Sequence, residues 1–175
     1  MSTLTHVQAK DNQPLTLSGL IGRAGAKDVL ISGRPSTLNL IDCQNINLLP
    51  ADERLLVQGA GNGKQEALIN ATRCFDVELS GLDLVGQVDF SGKEAFQRTV
   101  PNGVMTDLDS NGVKITDVTG LYLHYGITGR CVNFELDGAS LELCSGDFVR
   151  VCRDHFRVAN VMAAYSLAVW DYVEL

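Results

Sequence analysis

One short phrase recurs along the 175 residues and restricts the possible folds more than any other feature. It consists of a small polar residue or cysteine, two residues, apolar-x-apolar, two more residues, and another apolar residue. It runs from Cys74 through Val77-Glu78-Leu79 to Leu82, from Ser110 through Val113-Lys114-Ile115 to Val118, and from Cys131 through Phe134-Glu135-Leu136 to Ala139. Looser copies are Cys43 with Ile46-Asn47-Leu48, and Phe156-Arg157-Val158 with Val161. Each burst alternates with period two, which is the signature of a strand and not of a helix. Val113 and Phe134 are 21 residues apart, and Phe134 and Phe156 are 22 apart. The 36 residues from Val77 to Val113 fit either two shortened coils or one coil with an insertion around 86–102, and the 31 from Ile46 to Val77 need a similar allowance. A leucine-rich repeat has a comparable length, but its consensus phrase is absent.

Stacking the copies as parallel strands about 4.8 Å apart puts equivalent residues above one another. Cys43, Cys74, Ser110 and Cys131 then form a column of small side chains at one turn. Glu78, Lys114, Glu135 and Arg157 form an outward column of alternating charge, as favourable neighbours on adjacent strands require. Val77, Val113, Phe134 and Phe156, and beside them Leu79, Ile115, Leu136 and Val158, fill the interior. Gly81, Gly120 and Gly138 are expected near corners. The expected fold is all-β, a right-handed parallel β-helix solenoid of about seven or eight coils. Residues 36–175 are expected to form the β-helix, with room for it to continue beyond this chain. Residues 1–35 are less regular and form an N-terminal cap or linker, and Val29-Leu30-Ile31 is the earliest stretch able to start a coil. The C-terminal stretch from Ala168 to Leu175 reads as a further strand.

Composition agrees with an ordinary globular core: 45% of residues are hydrophobic and 20% charged, with 17 glycines and only 4 prolines. The net charge of −7 and the lack of any basic cluster argue against nucleic acid as a partner. Met1 to His6 contain neither a basic nor an apolar run, so no secretory signal is expected, and no apolar stretch is long enough to insert in a membrane. The 5 cysteines lack paired zinc spacing and are expected as reduced core thiols.

The run Leu55-Leu56-Val57-Gln58-Gly59, followed by Cys74 to Leu84, resembles the opening coils of the pectate-lyase-like right-handed β-helix superfamily. Ser145-Gly146-Asp147-Phe148-Val149-Arg150-Val151 is similar to the coil starts of its bacterial and phage members. The resemblance covers residues 36–175 and implies a fold more than an activity. It points to a bacteriophage tailspike-type member: a virion-associated module, synthesised in the host cytoplasm, that binds a bacterial surface polysaccharide. Its partners would be further copies in a homotrimer or other virion proteins. The alternatives are a polysaccharide lyase, hydrolase or epimerase using stacked carboxylates, and a purely architectural module.

Enzymes of this fold place acidic residues and arginine on adjacent coils of one outer face. Asp147 and Asp171 lie 24 residues apart, close to one coil, and Asp89 falls at a similar phase. With Arg150 nearby, Asp147 and Asp171 are the candidate catalytic residues, acting as general acid and base. Tyr122, His155 and Trp170 are the candidate substrate-binding residues, and Tyr122 belongs to an aromatic group with His124 and Tyr125. Against this stands the plainer reading that aspartates are simply frequent at solvated corners. No metal ligand set is visible and no cofactor is expected; a calcium ion is conceivable at such carboxylates but unsupported. The glycine-rich Gly59–Gln65 has the wrong spacing for a phosphate loop and is better explained as a turn.

Overall fold

Short alternating runs such as Val77-Glu78-Leu79 cannot bury both faces alone, and they become stable by stacking on the next copy. In the computed structural model of the chain, residues 4–23, 25–59, 67–86 and 101–164 are described, and these hold fourteen strands and no helix. One sheet is built from β1 (Thr5–Gln8), β3 (Lys27–Ser32), β5 (Gln44–Pro50), β8 (Phe75–Val85), β10 (Asn111–Leu121), β12 (Phe134–Glu142) and β14 (Phe156–Ala164), in that spatial order. The short β6 (Leu55–Gln58) extends it by pairing with the second half of β8. The other sheet holds β2 (Pro14–Ser18), β4 (Thr37–Ile41), β7 (Ala67–Thr72), β9 (Asn102–Thr106), β11 (Ile127–Gly129) and β13 (Val149–Val151). We call them sheets A and B. Every pairing between these strands is parallel, and the chain passes from one sheet to the other coil by coil, as in a β-solenoid.

The stacking predicted from the repeats is present residue for residue. Val77 lies opposite both Ile46 and Val113, Leu136 opposite Ile115, and Phe156 opposite Phe134. Val77 and Val113 are direct neighbours, so the long interval between them is one coil with an insertion and not two short coils. The inward column is fully buried from Ile46 to Leu136. In β14, the last described strand of sheet A, Phe156 and Val158 continue that column but are 57% and 39% exposed. On the outer face Lys114 Nζ lies 3.5 Å from Glu78, and Arg157 pairs with Glu135.

Residues 5–32, read from sequence as part of a less regular cap, supply β1, β2 and β3. β1 stacks on β3 with Thr5 opposite Val29, and β2 stacks on β4 with Leu15 opposite Leu38. Gly120 also differs from expectation. It lies inside β10 and is buried, where a Cβ would meet the side chains of Leu141 and Leu123 at 2.7 and 2.8 Å. Leu141 on the next rung and Leu123 in the following turn occupy its space, so this glycine serves packing and not a corner.

The corners use a different device, a column of residues in the left-handed conformation. Asn45, Asp76, Gly112, Asn133 and His155, all at φ between 50° and 68°, occupy equivalent positions just before or at the start of successive sheet A strands. A second column, Gly81, Asp117, Gly138 and Asn160, bends those strands midway. Gly, Asn and Asp tolerate this region best, which explains the composition of both columns. Arg54, in the turn between β5 and β6, ties the bend across coils. Its Nε donates to Asp83 at 2.5 Å, its Nη1 to Asp117 at 2.8 Å, and its Nη2 to the Leu82 carbonyl at 2.8 Å.

The small-residue column is buried as expected, and the Cys74 amide donates to Ser110 Oγ at 2.9 Å. A hydrogen bond with Cys43, followed by burial, pushes the Cys74 thiol up, and burial pushes the Cys144 thiol up to about 11. Cys152 departs from the expectation of core thiols, because it is exposed.

Candidate functional site

Three turns stack where sheet A hands the chain to sheet B. The His124 amide donates to the Pro101 carbonyl at 2.9 Å, the Gly146 amide to the His124 carbonyl at 2.8 Å, and the Gly126 amide to the Asp147 carbonyl at 3.0 Å. This backbone ladder fixes side chains from three coils at one corner. Tyr125 is pinned by its own amide, which donates to Asn102 Oδ1 at 3.1 Å, and its ring packs so closely on Gly146 that a Cβ there would lie 2.7 Å from it. Only glycine leaves that room.

The Arg150 guanidinium carbon lies 5.5 Å from the centre of the Tyr125 ring, a cation–π contact. The His124 ring lies against Tyr125 with centroids 4.2 Å apart, and its Nδ1 is 2.9 Å from Ser145 Oγ. Burial holds the His124 imidazole below its usual pKa, opposed by the charge of Asp147, so the ring favours its neutral form. The corner therefore offers a partly exposed aromatic ring, an exposed guanidinium over it, an exposed carboxylate and an imidazole that favours its neutral form. That set can stack on a ring and donate to and accept from its hydroxyls.

Of the residues chosen from sequence, Asp147 and Arg150 fall at this corner. Tyr122 lies in the same turn, half-buried, with φ at 56°. His155 is exposed at a different corner, before β14, where its left-handed backbone continues the Asn45–Asn133 column. Asp171, Trp170 and Asp89 lie outside the described residues, as does the strand expected from Ala168 onward. Asn102 and Ser145 were missed, and neither carries a local signal, because their place depends on how the three turns stack. Among the described residues no group of three or more His, Cys, Asp or Glu side chains could hold a metal ion, and no helix is long and apolar enough to cross a membrane.

A second concavity, of about 530 Å³, lies on the outer face of sheet B. Its lining includes Asn39, Asn70, Met105, Asp107 and Arg130. Asn70 Nδ2 donates to Asn39 Oδ1 at 3.0 Å, a carboxamide ladder across two coils. The Asp107 carboxylate is occupied by the Arg73 amide at 3.0 Å and by Ser110 Oγ at 2.5 Å. Beyond Met105 on the same column comes Thr128, only 3% exposed, whose Oγ1 has no hydrogen-bond partner among the described residues. The chain matches no protein-family model, no curated protein and no solved structure.

Proposed function

We propose that this chain is a carbohydrate-binding module of right-handed parallel β-helix type, related to the pectate-lyase-like superfamily. In this reading it is a tailspike-type protein, synthesised in the host cytoplasm and carried on a virion as a homotrimer, that binds a bacterial surface polysaccharide. The observation that carries the binding reading is the Arg150–Tyr125 contact beside the exposed Asp147. An aromatic face edged by planar charged groups suits sugar rings, whose C–H faces are apolar and whose rims are hydroxyls.

The test is binding to an array of immobilised bacterial capsular and lipopolysaccharide glycans. Binding to at least one glycan, lost in Arg150→Ala and Tyr125→Ala proteins that keep the β-type circular dichroism of the parent, supports the reading. Absence of binding across the array, or binding indifferent to both substitutions, contradicts it, and the first result favours an architectural module.

A hydrolytic, lyase or epimerase activity stays as the second reading, because Asp147 lies close enough to the neutral His124 for its charge to act on that ring. Release of reducing ends or unsaturated products that stops in Asp147→Asn would establish it. Glycan affinity without turnover would exclude it for that glycan.

A further inference from the structure

One pair of side chains at the corner has a chemistry that sugar binding does not use. His124 Nδ1 and Ser145 Oγ lie 2.9 Å apart, although 21 residues separate them in sequence. Two backbone bonds set the pair: the Ser145 amide donates to the Leu123 carbonyl at 2.9 Å, and the Gly146 amide to the His124 carbonyl at 2.8 Å. The Tyr125 ring steadies both partners, because it lies against the imidazole and packs on Gly146. Both side chains are half-buried, so the hydroxyl is neither shut in the core nor fully hydrated. Burial favours the neutral imidazole, while the charge of Asp147 favours the imidazolium. A base that rests neutral, with a carboxylate nearby to stabilise its charged form, is what a serine nucleophile requires.

We propose that Ser145 and His124 form a nucleophile–base pair that hydrolyses acyl esters through an acyl-serine intermediate, with Asp147 as a positioning residue for the imidazolium. In the neutral tautomer with its proton on Nε2, the ring accepts the Ser145 hydroxyl at Nδ1. Oγ attacks the ester carbonyl carbon and forms the Oγ–C bond as its proton passes to Nδ1. The bond to the alcohol oxygen then breaks, and the alcohol leaves with that proton. A water molecule gives a proton to Nδ1 and attacks the acyl carbon, which releases the carboxylic acid and returns the proton to Oγ. Two donors at the corner can meet the oxyanion: the Arg150 guanidinium over Tyr125, and the Asp147 amide, which makes no hydrogen bond among the described residues. The half-buried hydroxyl with a single ring beside it suits the ester of a short acyl group, acetyl in the simplest case.

The experiment treats the full chain with a fluorophosphonate, which phosphonylates activated serines with loss of fluoride, and separately with 4-nitrophenyl acetate. The phosphonate should add to the peptide carrying Ser145, as mass spectrometry of the digest reads, and the ester should yield more than one nitrophenolate per chain. Ser145→Ala should remove both signals, and His124→Gln should slow both about 100-fold. Labelling should rise with pH as the imidazole loses its proton. Asp147→Asn should move that midpoint to lower pH, since the lost charge had favoured the protonated ring; Tyr122, Tyr125, Cys144 and Arg150, the other titratable groups of these turns and of β13, are unchanged in that variant. A midpoint that stays in place removes Asp147 from the proposal. Adduct mapping on the parent chain needs no variant to fold. Absence of an adduct at Ser145, equal labelling in the urea-unfolded chain or in His124→Gln, or labelling without ester turnover overturns the pair. Neither reagent contains a sugar, so failure here leaves the carbohydrate reading standing, and a blank glycan array leaves the pair standing.

Discussion

Sheets A and B share one backbone plan and differ in what their outer faces do. Sheet A has strands of 11 residues in β8 and β10 and 9 in β12 and β14, and its outward residues bond one another as ion pairs and carboxylate–amide pairs. Sheet B has strands of only 3 residues in β11 and β13, and its outward column presents carboxamides, a thioether and an arginine that leave bonding capacity unused. The inner faces are alike, because both must fill the same core. The lesson is that a stack of this kind separates its tasks by face: identical ladders hold both sheets, while only the outward side chains decide whether a face closes on itself or remains available.

The largest expected effect tests the shared core. Leu79 in sheet A and Ile69 in sheet B are both fully buried, so Leu79→Ala and Ile69→Ala should each lower unfolding free energy by about 2–5 kcal/mol in denaturant titration. A clearly smaller loss at Ile69 would mean that sheet B is packed more loosely than described. Next comes Arg54→Ala, which removes bonds to two coils of sheet A and leaves Asp83 and Asp117 without their shared cation. It should cost about 1–3 kcal/mol, and an unchanged midpoint would remove Arg54 as a clamp.

Thr128→Val tests sheet B in the opposite direction. Its hydroxyl is buried without a partner among the described residues, a state that costs about 1–3 kcal/mol, so the isosteric valine should raise stability by about 1 kcal/mol. A loss would show that the hydroxyl has a partner. The smallest of the substitution effects belongs to the outer ladder of sheet A. Lys114→Glu puts three like charges in one column with Glu78 and Glu135, and each altered neighbour contributes about 0.2–1 kcal/mol, so a modest loss is expected, shrinking in high salt. A gain would contradict the register.

A pH titration sharpens the view of the corner. Because burial lowers the His124 pKa on folding, the unfolded chain binds the proton more tightly, and stability should fall as pH drops below about 6.5, the ordinary imidazole value. The His124→Asn protein should lose less across that window; an identical loss would assign the effect to other groups.

Much of sheet A was legible in the sequence, because a core column and a charge column had to agree in one register, and the pair fixed it from Val77 to Phe156. The first coil was harder to see. Thr5 takes an inward place opposite Val29, which no apolar pattern announces, and the early coils are 24 and then 19 residues apart, as the bonded pairs Gln8–Ser32 and Asp28–Asn47 show. The corner columns carried a signal in Asn45, Asp76, Asn133 and His155, whereas Tyr122 and Leu143 adopt the same backbone with no local preference for it. At the candidate site, the interval from Asp147 to Asp171 picked out Asp147 with Arg150 nearby, and the structure places these two at the Tyr125 corner while Asp171 lies outside the described residues. The Tyr125 contact and the Asn39–Asn70 ladder were hidden because insertions of unequal length separate the coils that bring them together.

The central claim, parallel in-register stacking of successive coils, is tested most directly by nuclear Overhauser contacts between backbone protons of neighbouring strands. The account predicts contacts linking Ile115 with both Leu79 and Leu136, and Phe134 with Phe156, running in the parallel sense through both sheets. Antiparallel cross-strand contacts between sequence-adjacent segments, or helical contacts over Val113 to Val118, would contradict it.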